Sequence, residues 1–383
     1  MPDPLSIFST VWGALAGLGR WRKHRQQTQR ESWQDYRDSY KEQIASAEKR
    51  GDKAEETRLR LEYEGMQEAW RDRQQLAGLT PRTISAEQPT TLSKAEVVEI
   101  KRLLEATRAL PASVLSAEDY RIRGNAHYES GDYTKALEAY DRALTLRPDD
   151  AKTHYNRGVA LGRLDRHQEA LAAYDRALVL SPGDPETHNN RGVALGRLGR
   201  HQEALVAHDR ALALRPDFPE AHSNRGNVLG DLGRHQEALE AHDHALALRP
   251  DLPEAHNNRG AALGALGRYQ EALGAYDRTL ALRPDYPDAH NNRGNTLADL
   301  DRQEESLAAY NRSLALRPDL TDAMYNKTCT LSQLHQGEQA LEWLAKTISL
   351  DASSRLQARS DPDFAYLRDH PDYGPKFREL VGE

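Results

Sequence analysis

Apolar residues recur along most of this chain at helical spacing, and the helical runs come in pairs. In residues 202–214, Ala204, Leu205, His208, Ala211 and Leu212 share one face of a helix. A run of similar length precedes it and ends near Gly199, where Gly199-Arg200 marks a turn. Pro216 stops the second run. The pair then repeats. Proline recurs at Pro148, Pro182, Pro216, Pro250, Pro284 and Pro318, in steps of 34 residues. Glycine keeps the same step from Gly124 through Gly158, Gly192, Gly226 and Gly260 to Gly294, and leucine keeps it from Leu146 to Leu350. Alanine follows at Ala136, Ala170, Ala204, Ala238 and Ala272, with Ser306 and Ala340 continuing the column. One helical hairpin cannot bury its apolar face alone, so neighbouring repeats must stack. The small residues Gly192, Ala204 and Ala211 are expected to let paired backbones approach closely.

Residues 1–115 carry no such repeat. Residues 4–19 hold no charge, and Arg20, Arg22, Lys23 and Arg25 follow at once. Sixteen helical residues span about 24 Å, short of the ~30 Å hydrocarbon core. The positive charges lie after the apolar run, unlike a cleaved signal peptide. Phe8, Trp12, Trp21, Arg22 and Lys23 suit either a membrane interface or a buried protein contact. A polar helical hairpin is expected next, with Trp33, Tyr36, Tyr40, Ile44 and Ala47 on one stripe and Leu59, Tyr63, Met66 and Trp70 on the other. Residues 79–92 read as a linker. Ser93 and Glu96 then form a capping box that opens a helix over 93–115, expected to pack on the first repeat.

The period, the small residues, the turn and the terminal proline together resemble the tetratricopeptide repeat family. Seven repeats run from about Ala117 to Asp351. The resemblance implies an all-α fold, a right-handed superhelical solenoid of helix pairs whose first helices line a concave groove. The seventh repeat departs from the pattern, with Thr328 for the glycine and Ala352 for the proline. The tail from Arg359 to Leu380 is similar to the closing helix of many bacterial members. The expected organisation is an apolar and basic segment 1–25, a hairpin 26–78, the linker 79–92, the packing helix 93–115, repeats over 116–351 and a cap over 352–383.

Composition fits an open stack. The mean hydropathy of -0.81 is low for a compact globule, and net charge is only -7, so disorder by charge is not the cause. A solenoid, with much surface for its mass, accounts for both. Residues 1–115 carry 19 basic and 17 acidic side chains, so the acidity lies in the repeats. The acidic balance argues against a nucleic-acid partner. The single Cys329 rules out a disulfide framework and points to a reducing, cytoplasmic setting, membrane-associated if residues 4–25 insert.

No phosphate loop, nucleophile elbow or dinucleotide fingerprint is present, so no catalytic residue and no cofactor is expected. Histidine forms two series, His154, His188, His222, His256 and His290, and His167, His201 and His235. His208 and His242 stand where other repeats have Tyr140, Tyr174, Tyr276 and Tyr310. Packing is the expected role and no metal site is assigned, though clustering on a metal stays open. An arginine ladder from Arg123 to Arg293 is followed 18 residues later by Asp141, Asp175, Asp209, Asp243 and Asp277. Ion pairs within each repeat are the expectation.

The strongest functional pattern is asparagine. Asn156, Asn190, Asn224, Asn258, Asn292 and Asn326 keep unbroken 34-residue steps on the first helices, and Asn227 and Asn295 thicken the stripe. Asparagine is a mediocre helix former, so propensity does not explain it. Its amide offers an acceptor and two donors that match a peptide unit. The ladder resembles that of the repeats of O-linked N-acetylglucosamine transferase, which grips extended peptides. The alternative is that the asparagines bond adjacent repeats. Arg163 and Arg197, followed by Asp231, Ala265 and Asp299 in the same column, would set specificity. The sequence therefore predicts a non-catalytic scaffold that binds a protein or extended peptide. A membrane-associated regulatory or defence protein is the other reading, and self-association through the N-terminal region stays open.

Overall fold

A computed structural model describes residues 33–76 and 115–382. The segment holding Phe8, Trp12, Trp21, Arg22 and Lys23, the linker 79–92 and all but the end of the helix expected over 93–115 lie outside the described residues. The chain forms two compact bodies, Met1–Ala194 and Leu195–Glu383. Among the described residues every regular element is helical.

In the N-terminal body, α1 (residues 33–50) and α2 (Lys53–Leu76) form the expected hairpin. Gly51 takes φ 71° at its turn, where a side chain would be strained. Trp33 stacks on Trp70 with ring centroids 4.7 Å apart. Trp33, Met66 and Ala69 also bury Leu115, with Tyr120 packed beside them, so the hairpin rests on the first repeat. The repeats begin with α3 (Ala117–Glu129) and α4 (Tyr133–Leu146), then α5 (Ala151–Arg163), α6 (His167–Leu180) and α7 (Pro185–Arg197). Ser116 opens the series with a capping box closed by Asp119.

The C-terminal body continues the alternation. It holds α8 (His201–Leu214), α9 (Pro219–Asp231), α10 (His235–Leu248), α11 (Pro253–Ala265), α12 (Tyr269–Leu282), α13 (Pro287–Asp299), α14 (Gln303–Leu316), α15 (Thr321–Gln333) and α16 (Gly337–Leu350). Proline sits in the first turn of α9, α11 and α13, where its missing N–H costs nothing.

The conserved-looking glycine does a different job from the one expected. A Cβ on Gly260 would lie 2.7 Å from the Tyr276 ring, and one on Gly294 would lie 2.5 Å from the Tyr310 ring. Gly124 and Gly158 stand in the same way against Tyr140 and Tyr174, and Gly226 against His242. The glycine makes a notch for a ring of the second helix rather than a backbone-to-backbone contact. In the seventh repeat both sides of the notch change together, to Thr328 and Leu344.

The tail is three short helices, α17 (Ser354–Ser360), α18 (Ala365–Asp369) and α19 (Gly374–Val381), plus a 3-10 turn at Pro362–Phe364. The sequence reading expected one closing helix, but Pro362 and Pro371 interrupt it. Phe364, Leu367, Phe377 and Val381, all fully buried, cover Tyr325, Leu341, Leu344 and Ile348 of the seventh repeat.

Candidate functional site on the first helices

The asparagine ladder sits on successive first helices, and its amides reach back one repeat. In the N-terminal body, Asn156 Nδ2 donates to Asn125 Oδ1 at 2.8 Å, and the Tyr140 hydroxyl donates to the same oxygen at 2.9 Å. Asn190 Nδ2 donates to the Tyr155 hydroxyl at 2.9 Å. In the C-terminal body, Asn258 donates to Asn227 at 2.7 Å and Asn292 donates to Asn257 at 3.2 Å. Asn326 donates to Asn295 at 2.9 Å and to Asn291 at 3.3 Å. Asn224 is half-buried at the same register. Each such bond contributes about 0.5–1.5 kcal/mol net, so the ladder stitches repeat to repeat.

The stitching leaves part of each amide unspent. One N–H is committed to the neighbour, and a primary amide has another together with an acceptor oxygen. The Oδ1 atoms of Asn190, Asn292 and Asn326 accept no bond from the chain and are not sealed from solvent. Anchoring through Nδ2 fixes the direction of that free oxygen. Sequence reasoning missed Asn125 and Tyr155 as acceptors. The signal was available, because Asn125 precedes Asn156 by the same 31 residues that separate Asn227 from Asn258 and Asn295 from Asn326.

Beside these amides the helix surface is bare. In the C-terminal body, a Cβ added at Gly230 or Gly264 would meet nothing within 4 Å, and one at Gly196 would meet only Val228 at 3.9 Å. None of the three has a left-handed backbone. Glycine inside a helix costs up to about 1 kcal/mol relative to alanine, and neither packing nor turn geometry explains it here. One turn before them Asn227 and Ala261 are exposed.

The two arginines assigned to specificity differ. Arg163 Nε donates to the Tyr128 hydroxyl at 3.1 Å and is half-buried. Arg197 is exposed and makes no hydrogen bond or ion pair among the described residues. Asp231 lies 3.4 Å from His201 Nδ1, and burial raises the Asp299 carboxyl above its ordinary value.

The arginine ladder corrects the sequence reading. Arg157 pairs with Asp141 at 2.7 Å, Arg225 with Asp209 at 2.7 Å and Arg259 with Asp243 at 2.6 Å. Arg191–Asp175 and Arg293–Asp277 follow the same rule. Every arginine therefore grips the aspartate of the preceding repeat, 16 residues back, not the one 18 residues ahead. The reason is geometric: each first helix packs on the second helix before it as well as on its own partner. Asn311 and Lys327 now fall opposite each other, so the lost pair is a single exchanged contact, with the Lys327 ammonium 3.6 Å over the Trp343 ring.

The histidines serve the same junctions. Nε2 of His154, His188, His222, His256 and His290 lies 2.9–3.0 Å from the carbonyl oxygens of Pro148, Pro182, Pro216, Pro250 and Pro284. A carbonyl only accepts, so Nε2 carries the proton and donates. His208 and His242 are 1% and 2% exposed, and burial pushes both imidazoles down to about 4. Cys329 is buried beneath the tail near Asp361 and Asp363, which together with burial hold its thiol well above the usual range. The Asp361 carboxylate accepts the Tyr325 hydroxyl at 2.7 Å and the Asp363 backbone N–H at 3.0 Å, which makes it a cap for the tail's first turn.

Tetratricopeptide repeat profiles match residues 123–185 and 257–320 in one form, and 183–251 and 217–285 in another. Together they run unbroken from residue 123 to residue 320, just over half of the chain, and the chain belongs to the tetratricopeptide repeat family. Such a fold supports a protein–protein interaction scaffold. Two solved structures share it. Cut9-Hcn1, an APC/C hetero-tetramer, is 15% identical with a TM-score of 0.57, covering 75% of this chain and 52% of that one. A tetratricopeptide repeat protein from Parabacteroides merdae ATCC 43184 is 17% identical with a TM-score of 0.53, covering 70% of this chain and 99% of that one. The TPR repeat-containing thioredoxin TTL4 of Arabidopsis thaliana is 37% identical over 67 residues, 17% of this chain. The match spans only a tenth of that protein's length. Among the described residues, no helix is long and apolar enough to cross a membrane.

Proposed function

We propose that the first-helix face of the C-terminal body, from Asn224 to Asn326, binds an extended peptide segment of a protein partner. The observation that carries this reading is the free Oδ1 of Asn292 and Asn326, each aimed by an amide anchored on the preceding repeat. A fixed acceptor at every repeat suits the N–H groups of an extended backbone, which no side-chain identity interrupts. The bare helix surface at Gly230 and Gly264 supports the same reading, since a main chain approaches closely only where no side chain stands. In the N-terminal body, Asn156, Asn190 and Arg163 are more deeply engaged, and Arg197 is the exposed cation for an acidic residue of the ligand.

The test separates binding from folding. Peptides selected against the full chain from a random library are titrated against Gly230→Ala/Gly264→Ala. These substitutions add methyl groups in open space and remove two helix-breaking residues, so thermal stability rises while peptide affinity falls at least about tenfold. Equal affinity in this more stable variant refutes the reading.

A further inference from the structure

Arg123 is the one member of its ladder without an aspartate. At Arg157, Arg191, Arg225, Arg259 and Arg293 a carboxylate 16 residues earlier takes the guanidinium at 2.6–2.8 Å. The residue 16 positions before Arg123 is Thr107, so the repeat register supplies no carboxylate there. Arg123 is half-buried on α3 and makes no hydrogen bond or ion pair.

It opens instead on a cavity of about 370 Å³ between α3 and α4, into which Lys135 and Arg142 also project, with Glu138 as the opposing acid. Lys135 pairs with Asp132 at 2.6 Å, while Arg142 has no partner. Arg123 and Lys135 stand close enough to the His127 imidazole to hold it below its ordinary value, after burial, which is the larger cause. Asn125 lies two residues from Arg123, about 200° round the helix. The cavity therefore faces away from the Asn125–Asn156 bond and is separate from the peptide face.

We propose that this cavity is a carboxylate-binding site for a ligand carrying at least two carboxylates, either a small polycarboxylate or a run of acidic side chains. Elsewhere in the chain the same guanidinium register is filled by an aspartate, so its preferred partner chemistry is on display five times. A planar guanidinium takes a carboxylate through two parallel N–H bonds, and Lys135 and Arg142 stand ready for a second one. Volume decides against a single carboxylate: 370 Å³ exceeds what one such group fills.

The experiment titrates citrate and, separately, hexaglutamate into the full chain, followed by calorimetry and by the His127 ring resonances across pH. Saturable binding is expected from at least one probe, with the His127 midpoint moving up as the bound anion favours imidazolium. Saturation by hexaglutamate at lower concentration than citrate assigns a polypeptide source, and the reverse assigns a small molecule. Arg123→Gln and Arg142→Gln should each weaken binding about tenfold or more. Arg142 is exposed, so its variant keeps the fold and carries the test if Arg123→Gln unfolds. Absence of saturable binding for both probes, or binding unchanged in Arg142→Gln, overturns the assignment.

Discussion

Acidification should loosen the repeats through two buried histidines. His208 and His242 fill notches that hold tyrosine in other repeats, and burial lowers both to about 4 in the folded chain. The neighbouring Asp209 and Asp243 oppose that shift without overcoming it. Unfolded histidine titrates near 6.5. A depressed folded value means the stabilising contribution is complete above about pH 6.5 and is lost as pH falls towards 4. At about pH 5.5 each histidine removes about 1.4 kcal/mol, and the pair about 3 kcal/mol, because the unfolded chain takes protons that the notch refuses. His222, His256 and His290 are shifted in the same direction by burial and add to the effect. The comparison variant is His208→Tyr/His242→Tyr, a substitution made by the chain itself at Tyr276 and Tyr310 over Gly260 and Gly294. Urea unfolding followed by circular dichroism at about pH 7.5 and pH 5.5 measures the difference. Carboxylates titrate equally in both proteins, so the acid-induced loss should be smaller in the double variant by about 3 kcal/mol. Identical losses in the two proteins would refute the argument.

Three other outcomes follow from the repeat geometry. Gly260→Ala should cost about 1–3 kcal/mol in thermal or urea unfolding, because its Cβ must displace the Tyr276 ring from 2.7 Å. Asp165→Gly should stabilise by up to about 1 kcal/mol, since Asp165 holds φ 56° where other repeats place glycine, and its side chain is exposed. A double-mutant cycle on Arg259 and Asp243 should give a coupling below about 1 kcal/mol that falls with added salt, as both side chains are partly exposed.

The fold was legible because its determinants are local and repeated: the glycine, the turn and the proline recur at one spacing, and each has a stereochemical reason. The N-terminal stripe from Trp33 to Ala47 was legible from period alone. What the sequence hid was the partner of each repeated residue. A period of 34 says that Arg225 has an aspartate partner but not whether it is Asp209 or Asp243, because both choices repeat equally well. The same ambiguity concealed the bonds of Asn156 and Asn190 to Asn125 and Tyr155. The tail was misread as one helix because its apolar spacing is helical while its prolines divide it. Gly230 and Gly264 escaped notice because a residue without a side chain leaves no pattern to read.

The backward reach of the asparagines and arginines also sets how strain travels. Each of these bonds ties a repeat to its immediate predecessor and to nothing farther along the chain. Within either body, opening one repeat therefore forfeits interface energy only at its two borders, the behaviour of a linear lattice with nearest-neighbour coupling. Amide exchange should then be graded by position, fastest at the borders and slowest in the interior, instead of collapsing in one global event. A ligand that holds several free asparagine oxygens at once would add the long-range coupling that the protein lacks, and the exchange gradient would flatten when it binds.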